Sequence, residues 1–249
     1  MNKPYLLQGK RILVTGASSG IGRACAICAS QLGASIVMTG RRDEGLRETA
    51  EKCFKGEHLV VTGDITSGDF IRELVDKCGK LDGLVHAAGV APMCPVGLLE
   101  HECVDLAMRT NYYSFLELMK YYSKGKYRNP KLSVVAISSV SAQAGWGGGS
   151  VYCGSKGALS ASVRALSLEL VAKGIRVNAV CPSNIRTPLY EAGASDMNDE
   201  ASLMELLKKQ PLGLGEPDQV AWPVCFLLSD AASFITGVNL PVDGGYLAQ

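Results

Sequence analysis

The sequence has little that would direct the protein to a membrane, to nucleic acid or to a metal ion. Its 249 residues contain no apolar run approaching the ~18 residues that span a bilayer, and the first ten lack the apolar centre of a signal peptide. With 25 basic and 24 acidic residues, the chain has no charge excess for nucleic acid or an anionic membrane. The three histidines, His58, His86 and His101, have no metal-ligand spacing. We therefore expect a soluble cytoplasmic protein with a small-molecule partner and no metal.

Disulfides are not expected, although the chain contains nine cysteines. The number is odd, and residues such as Cys28, Cys181 and Cys225 lie in apolar segments, as reduced core cysteines do. Cys25 and Cys28 form a CxxC pair without a second cysteine pair or a histidine cluster. One such pair is weak evidence for redox or zinc chemistry, so we interpret the cysteines as mostly reduced core residues.

Short apolar runs rich in β-branched residues alternate with helical stretches along the chain. The predicted strands are Arg11–Thr15, Ser35–Thr39, His58–Gly63, Gly83–Ala87, Leu132–Ser138, Ile175–Cys181 and Val238–Val242. The predicted helices are Gly20–Leu32, Glu44–Phe54, Phe70–Cys78, His101–Tyr121, Val151–Ala172 and Pro217–Leu228. Apolar strands separated by helices favour a parallel sheet covered on both faces. We expect one α/β domain over residues 1–249, a doubly wound Rossmann fold with about seven strands and its ligand at their carboxyl ends.

The first predicted strand runs directly into a glycine-rich turn and a helix. Gly16, Gly20 and Gly22 have Gly-x-x-x-Gly-x-Gly spacing. Glycines there let the backbone turn tightly and approach a pyrophosphate, and the helix amino terminus offers N–H groups to the phosphate charge. A strand, turn and helix of this kind at the start of an alternating α/β chain favours a dinucleotide site over a purely structural turn.

This turn resembles that of the short-chain dehydrogenase/reductase family, Thr-Gly-x-x-x-Gly-x-Gly, at every fixed position from Thr15 to Gly22. The resemblance runs nearly the whole length of the chain, and its remaining motifs keep the family's order. They are Asp64, Ala88-Gly89, Asn111, Ser139, Tyr152, Lys156, the run Asn178 to Thr187, Ile235-Thr236-Gly237 and Val242-Asp243-Gly244-Gly245. The resemblance implies a nicotinamide-dependent oxidoreductase. The residues it assigns to cofactor contact are Gly16, Ser18, Ser19, Gly20, Ile21, Gly22, Asp64, Ile65, Ala88, Gly89, Tyr152, Lys156, Pro182, Ile185 and Thr187.

The end of the second predicted strand bears on the choice between NAD and NADP. Gly40 falls where NAD-using relatives have an acidic residue, and Arg41 and Arg42 follow it. An arginine offers a planar fork of donors to a 2′-phosphate, whereas a carboxylate would repel that phosphate. We expect NADP(H), with Arg41, aided by Arg42 and Ser18, on the 2′-phosphate. The alternative is that the arginines lie in a solvated turn and Asp43 binds the ribose.

A lysine follows a tyrosine by four residues at Tyr122, Tyr127 and Tyr152. Such a pair shares one helix face. Pro130 opposes a continuous helix after Tyr127, and Tyr122 lies where a helix must end, in what we expect to be a solvated surround. Tyr152 opens the helix that follows the strand ending in Ser138, at the same end of the sheet as the glycine turn, so we favour Tyr152.

The resemblance implies a catalytic set of Asn111, Ser139, Tyr152 and Lys156. An alkoxide left by hydride addition must receive a proton, so an O–H donor should already point at the carbonyl oxygen. Free tyrosine, with a pKa of ~10, is a poor acid or base near neutrality, and we expect Lys156 and the oxidised nicotinamide to lower the pKa of Tyr152. Ser139 would orient the carbonyl, Lys156 would hold the nicotinamide ribose, and Asn111 would help to hold a water linking Lys156 to solvent.

Two positions depart from the family's pattern. Ala87 stands where an asparagine usually ties the turn after the fourth strand, and the lost hydrogen bonds cost about 0.5–1.5 kcal/mol each unless water or His86 replaces them. Ser183 stands where the family usually has glycine, which is awkward if that backbone needs a positive φ. Neither change removes a group from the chemical step.

The segments expected to wall the substrate site are 90–97, 140–150 and 189–206. The first two carry no charge, and the third adds apolar side chains among acidic ones. An apolar cleft with few polar groups suits a hydrophobic or medium-sized neutral carbonyl. The named substrate candidates are Met93, Cys94, Gln143, Trp146 and Tyr190, while Val96, Leu189 and Met197 lie in the same segments.

The carboxyl-terminal run from Pro211 is most similar to 3-oxoacyl-[acyl-carrier-protein] reductases, which implies an acyl thioester substrate. A set of basic residues would meet an acidic carrier protein or is simply solvated: Lys124, Lys126, Arg128, Lys131 and Lys173. The alternatives are a dehydrogenase of a sugar, steroid or secondary alcohol, and a dinucleotide-binding sensor without turnover. The resemblance also implies a homodimer or homotetramer with contacts through the helices at His101–Tyr121 and Val151–Ala172.

Overall fold

The computed structural model describes residues 4–193 and 200–248. Seven strands form one sheet in which every described pairing is parallel, in the order β3-β2-β1-β4-β5-β6-β7. The strands are β1 Arg11–Thr15, β2 Ser35–Gly40, β3 Leu59–Thr62, β4 Leu81–His86, β5 Arg128–Ile137, β6 Ile175–Pro182 and β7 Asn239–Val242. This confirms the predicted doubly wound parallel sheet and places the point where the strand order reverses between β1 and β4.

Helices connect the strands and cover both faces of the sheet. The α-helices are α1 Gly20–Gln31, α2 Asp43–Lys52, α3 Gly68–Cys78, α4 His101–Met108, α5 Ser114–Tyr122, α6 Ser150–Leu170, α7 Pro188–Gly193, α8 Glu200–Lys209 and α9 Pro217–Leu228. Local sequence features determine where several of the helices begin. The Ser67 hydroxyl accepts from the Phe70 N–H at the start of α3, and α9 begins with Pro217 inside a capping box.

Successive side chains of each strand point to opposite faces of the sheet and pack in two separate hydrophobic cores. On β1, Ile12 and Val14 enter the cluster shared with α1 and α9, while Leu13 enters the cluster shared with α3, α5 and α6. This explains why the strands read as continuous apolar runs, since both of their faces are buried. Burial of both faces also fixes the strand register, and with it the position of every loop at the carboxyl edge.

The predicted helix over His101–Tyr121 is interrupted. A π-helical turn, Arg109–Tyr113, lies between α4 and α5 and contains Asn111. Single π-turns inside α-helices are uncommon and occur frequently at functional sites. The expectation that Tyr122 is solvated was wrong, because its side chain is fully buried in the core shared by α3, α5 and α6.

Among residues 4–193 and 200–248, no helix is long and apolar enough to cross a membrane. The same residues contain no cluster of three or more histidine, cysteine or acidic side chains that could hold a metal ion. Met197, from the third predicted substrate segment, lies outside the described residues.

Candidate functional site

A cleft of about 770 Å³ lies at the carboxyl ends of the strands. It extends from the turn after β2, past the glycine turn and the β4 turn, to Tyr152 on α6. All of the residues predicted to touch a cofactor line it: Gly16, Ser18, Ser19, Gly20, Ile21, Gly22, Arg41, Arg42, Asp64, Ile65, Ala88, Gly89, Tyr152, Lys156, Pro182, Ile185 and Thr187. The structure therefore brings together residues from five separate turns and from α6.

The glycine turn brings the β1 backbone very close to the β4 turn. Gly16 has a φ of +66°, and a Cβ at this position would lie 2.8 Å from both the Ala87 carbonyl oxygen and the Ala88 nitrogen. Any larger residue would force these two turns apart. The first turn of α1 carries no acidic residue, so its N–H groups and positive dipole end face the cleft without a competing carboxylate.

The turn after β4 is held in a way that the sequence did not reveal. The Thr15 hydroxyl accepts hydrogen bonds from the Ala87 and Ala88 N–H groups at 3.1 and 3.0 Å. His86 does not replace the missing asparagine in this turn, because its Nε2 pairs with the Ser114 hydroxyl at 2.8 Å. Backbone donors fixed by Thr15 thus compensate for the side-chain amide that Ala87 lacks.

Ser139, Tyr152 and Lys156 meet at the inner end of the cleft. Ser139 is the second residue after β5. Its hydroxyl accepts a hydrogen bond from the Ser141 N–H at 3.0 Å. Tyr152 and Lys156 lie on the first two turns of α6, with Lys156 Nζ 5.8 Å from the centre of the Tyr152 ring. Lys156 Nζ donates to the Ile137 carbonyl oxygen at 2.8 Å. An O–H donor, a second hydroxyl and an ammonium therefore share one small volume.

Burial dominates the electrostatics of this group. It lowers the pKa of Lys156 to about 8. Burial also raises the pKa of Tyr152, and the hydrogen bond with Ser139 lowers it by less. The expected lowering of the Tyr152 pKa by Lys156 is thus not what the chain's own groups produce. Tyr152 is held as the protonated phenol at neutral pH, which is the form that can donate a proton.

Asn111 does not face the cleft. Its side chain is fully buried, accepts from the Val90 N–H at 2.8 Å and donates to the Val90 carbonyl oxygen at 2.9 Å. The same amide nitrogen donates to the Ser155 hydroxyl at 2.9 Å. The Asn111 side chain therefore ties the segment after β4 to α6, between Tyr152 and Lys156.

The turn after β2 presents two cations to the cleft. Arg41 and Arg42 are exposed lining residues, and Arg42 Nη2 lies 3.4 Å from the Ser18 carbonyl oxygen. Asp43 does not line the cleft. Its carboxylate accepts from the Thr62 hydroxyl and from Arg47 Nε, both at 2.6 Å, and these bonds lower its pKa. The carboxylate that was the alternative ribose ligand is thus committed to other partners.

The turn after β6 accommodates Ser183 without strain. Among the described residues, no residue other than glycine has a positive φ, so the concern about backbone conformation at Ser183 was wrong. The Ser183 hydroxyl donates to the Asp243 carbonyl oxygen at 2.9 Å and joins this turn to the carboxyl-terminal segment. Gln210, which is buried, bonds the backbone N–H and the carbonyl oxygen of Asn184. Both contacts were missed because their partners are distant in sequence.

The substrate end of the cleft is more polar than expected. Met93, Trp146 and Tyr190 line it as predicted, but Gln143 is on the surface and Cys94 is buried behind the wall. Several polar side chains that the sequence did not single out also line it: Ser141, Asn184, Glu205, Lys209 and Tyr246. Glu205 and Lys209 form an ion pair at 3.1 Å on α8. The expectation of an apolar cleft with few polar groups was therefore wrong, although Glu205 lies in the predicted wall segment 189–206.

The interpretation of the cysteines as reduced core residues does not hold for two of the nine. Cys94 and Cys103 are joined by a disulfide, whereas the other seven cysteines are thiols. The two partners are nine residues apart in the sequence, and the chain between them reverses direction at the start of α4. Neither residue belongs to a spacing motif, so no sequence signal identified the pair.

Comparison with known proteins identifies the family. A family model described as Enoyl-(Acyl carrier protein) reductase matches residues 16–247. The chain belongs to the short-chain dehydrogenase/reductase family. It is 33% identical to L-xylulose reductase of Mus musculus over 244 residues, which are 97% of this chain and 98% of that protein. It is 32% identical to the 3-oxoacyl-[acyl-carrier-protein] reductase FabG of Rickettsia conorii over 246 residues, with the same coverage of both chains.

A solved structure agrees with this membership. The structure of a short-chain type dehydrogenase/reductase from Mycobacterium ulcerans superposes with a TM-score of 0.90 at 30% identity and covers 98% of this chain and 92% of that one. Short-chain dehydrogenases/reductases bind a nicotinamide dinucleotide and interconvert alcohols and carbonyls. The chain is accordingly an oxidoreductase of the CH–OH and C=O class, and its cleft has the backbone approach, helix terminus and cations that such a cofactor requires.

Proposed function

We propose that the protein is an NADPH-dependent reductase of a small carbonyl compound, with Tyr152 as the proton donor. The observation that carries this proposal is the meeting of Ser139, Tyr152 and Lys156 at the inner end of the dinucleotide-sized cleft. A bound nicotinamide supplies or accepts the hydride. Side chains of this protein donate the proton, orient the carbonyl and bind the cofactor.

The proposed roles follow from the contacts of each group. Burial keeps Tyr152 protonated, so its O–H can donate to a carbonyl oxygen and deliver a proton as negative charge develops there. Ser139, which is hydrogen-bonded to Tyr152, is placed to give the same oxygen a second hydrogen bond. Lys156 lies close enough to stabilise the phenolate left after proton transfer and to bond ribose hydroxyls. Asn111 acts as a positioning residue through Val90 and Ser155.

The preference for NADP(H) rests on the turn after β2. Arg41 and Arg42 line the cleft beside Ser18, and no carboxylate from this turn reaches it because Asp43 is bound to Thr62 and Arg47. Arginine binds phosphate through two parallel N–H bonds, which gives both affinity and geometry. The remaining cofactor residues are proposed to act as predicted, with Asp64 and Ile65 at the adenine and Ile185 and Thr187 at the carboxamide.

For the substrate, we favour a polyhydroxylated ketone over a 3-oxoacyl thioester. Tyr246, Asn184, Ser141 and the Glu205–Lys209 pair bring hydroxyl, amide and charged groups to the cleft, and such groups suit a substrate with several hydroxyl groups better than an acyl chain. The name of the Mus musculus relative, L-xylulose reductase, supports a sugar-like substrate.

The acyl-carrier alternative has a geometric difficulty. The basic set at Lys124, Lys126, Arg128, Lys131 and Lys173 adjoins the amino ends of β5 and β6. Strand β5 is ten residues long, so these side chains lie about 30 Å from Ser139. A carrier protein docked on them would sit at the edge of the sheet opposite the cleft of the same chain.

We also propose a dimer or tetramer formed through α4 to α6. Exposed apolar side chains on or beside these helices support it: Tyr113 in the π-helical turn, Leu168 on α6 and Val171 directly after α6. Isolated exposed apolar residues are common, but a group on neighbouring helices favours a protein contact. Light scattering that gives the mass of a single chain would contradict this part of the proposal.

The test of function is a steady-state assay of a carbonyl panel with NADPH and with NADH. The panel contains ketopentoses, a steroid ketone, an aliphatic ketone and an acetoacetyl thioester. Faster oxidation of NADPH with a ketopentose supports the proposal, and a preference for the thioester would favour the acyl alternative. Tight NADPH binding without turnover across the whole panel would support a dinucleotide sensor instead.

A further inference from the structure

One wall of the cleft is a segment that runs from Val90 to Leu99 between β4 and α4. Val90, Ala91 and Met93 from this segment line the cleft. Its first residue is fixed by the Asn111 side chain, which bonds both backbone groups of Val90. Farther along, the Cys94 N–H donates to the Gly148 carbonyl oxygen at 2.9 Å, and the Cys94 side chain is joined to Cys103. The disulfide is therefore a cross-link between this wall and α4, in addition to the backbone that joins them.

The disulfide also packs against the helix that carries Tyr152. Cys94 forms a small cluster with Ala107 on α4 and Val151 on α6, flanked by Cys103 and Val104. This cluster is separate from the two cores that cover the sheet. Val151 directly precedes Tyr152 in the sequence. A change at the disulfide therefore acts on the substrate wall and its contact with α6, without disturbing the core of the fold.

The rest of the chain's cysteine chemistry is that of a reduced protein. The seven other cysteines are thiols, and Cys28 and Cys225 remain thiols although they are hydrogen-bonded to each other across α1 and α9. Proteins in reducing compartments rarely keep structural disulfides, and the disulfides that form there are usually transient. A single disulfide behind the wall of the cleft, in a chain whose other seven cysteines are thiols, fits this second kind.

We propose that Cys94 and Cys103 form a thiol–disulfide exchange site that fixes the substrate wall when oxidised and releases it when reduced by a small thiol of the glutathione class. The two sulfur atoms differ in access, since Cys94 is 7% exposed and Cys103 is half-buried. The attacking thiolate therefore reaches Cys103 Sγ. This difference gives the exchange a defined direction of attack.

The exchange is balanced in two steps. The thiolate forms a mixed disulfide with Cys103 as the Cys94–Cys103 bond breaks, and Cys94 leaves with the bonding electron pair and takes up a proton. A second thiolate attacks the sulfur of the small thiol in that mixed disulfide, which releases Cys103 as a thiolate. The small thiol leaves as its own disulfide, and the protein gains two electrons and two protons once Cys103 is protonated. Oxidation by the disulfide form of the small thiol is the reverse reaction.

Release of the wall should weaken substrate binding and leave the dinucleotide site unchanged, because the glycine turn and Arg41 lie elsewhere in the cleft. We expect reduction to raise the substrate KM about fivefold with little change in kcat or in the Kd for NADPH. This effect on KM rests on the proposed reductase function. The exchange itself does not rest on it.

The experiment equilibrates the protein in glutathione buffers of graded redox ratio and traps thiols by differential alkylation before mass spectrometry. Cys94 and Cys103 should change state together while the other seven cysteines stay as thiols. In the single variant Cys94→Ser, Cys103 should accept glutathione as a mixed disulfide, whereas Cys94 in Cys103→Ser should accept much less. Cys94 and Cys103 both trapped as thiols at every ratio would overturn the proposal.

Kinetics under the same buffers test the consequence. The substrate KM should follow the redox state of the pair, and the double variant Cys94→Ser/Cys103→Ser should keep the higher KM at every ratio. Cys53→Ser, a partly exposed thiol away from the cleft, is the matched control and should keep the redox dependence. A pair that changes state without any change in KM would overturn the role of the wall. Normal exchange with no turnover of any substrate would contradict the reductase function and leave the exchange site supported.

Discussion

Lys156 Nζ donates a 2.8 Å hydrogen bond to the carbonyl oxygen of Ile137, the last residue of β5. This bond fixes the amine at the carboxyl edge of the sheet, but it does not remove the cost of burying a charge, since the pKa of Lys156 is lowered from 10.5 to about 8. The pKa of the Lys156 amine is thus close to physiological pH. Burial of this amine therefore lowers the stability of the fold, as is common for residues that are kept for function.

The first prediction concerns the dependence of stability on pH. The folded-state pKa of Lys156 is depressed, so the charged amine destabilises the fold below about pH 8, and this cost disappears as the pH rises toward 10.5. Lys156→Met should raise the free energy of unfolding at neutral pH by roughly 1–3 kcal/mol, and the gain should shrink in alkaline buffer. Urea denaturation of both proteins at several pH values measures this. A gain that is independent of pH would count against the buried-charge explanation.

The second prediction concerns the proton donor. Tyr152→Phe should lower kcat about 10²–10⁴-fold and leave the Kd for NADPH nearly unchanged, because it removes only the hydroxyl. Tyr122→Phe is the matched control, since Tyr122 also precedes a lysine by four residues but is buried in the core. Stopped-flow and equilibrium fluorescence separate the two parameters. Substantial turnover by Tyr152→Phe would exclude it as the essential acid.

The third prediction is a change of cofactor. A Cβ at Gly40 would meet its nearest atoms, on Ser18 and Leu46, at 3.5 Å or more, and its φ is not positive, so an aspartate fits there without strain. Gly40→Asp should shift the ratio of kcat/KM for NADPH over NADH toward NADH by about tenfold or more, and Arg41→Ala should shift it in the same direction. Asp43→Asn is the control and should not alter the ratio. An unchanged ratio in both of the first two variants would refute the role of this turn.

The fourth prediction tests Asn111 as a positioning residue. Asn111→Ala leaves two backbone groups of Val90 and the Ser155 hydroxyl without their partner, which should cost roughly 1–3 kcal/mol of stability. The alanine variant should also raise the substrate KM, because the Val90 segment is released. Asn111→Asp keeps the acceptor for the Val90 N–H, so its KM should rise less. Equal KM values for both variants would indicate a role that does not depend on the Val90 contact.

The fifth prediction concerns the polar end of the cleft. Tyr246→Phe should raise the KM for a ketopentose by about 2–10-fold, because one hydrogen bond to a substrate hydroxyl is lost. The KM for an acetoacetyl thioester should change much less, and Tyr5→Phe, at an exposed tyrosine distant from the cleft, is the control. Equal effects on the two substrates would argue against recognition of hydroxyl groups by Tyr246.

The parts of the fold that could be predicted are those that depend on short stretches of sequence, such as apolar runs and glycine spacing. Each strand is an uninterrupted apolar run because both of its faces are buried, and Gly16 to Gly22 mark the turn whose close backbone approach excludes other residues. The sheet and the cofactor half of the cleft followed from these. The π-turn at Asn111 could not be predicted, since it depends on the tertiary bonds of Asn111 to Val90 and Ser155.

Sequence reasoning missed several polar residues that line the cleft. Glu205, Lys209 and Tyr246 come from α8 and from the carboxyl terminus, and only the packing of these segments brings them to Tyr152. Gln210 and Ser183 form that packing through bonds to Asn184 and Asp243, across many residues of sequence. Cys94 was predicted to line the cleft because it lies in the segment 90–97, but its side chain is buried against Ala107 and Val151 and does not reach the cleft.

The most direct test of the central claim is transfer of the label from NADPH that carries deuterium at the reactive position of the nicotinamide. Mass spectrometry should find deuterium on the former carbonyl carbon of the alcohol that the wild-type protein forms from a ketopentose. Tyr152→Phe should form this labelled alcohol about 10²–10⁴-fold more slowly. Alcohol without deuterium, whichever face of the nicotinamide carries the label, would contradict hydride transfer. Labelled alcohol formed equally fast by the wild type and Tyr152→Phe would contradict Tyr152 as the acid.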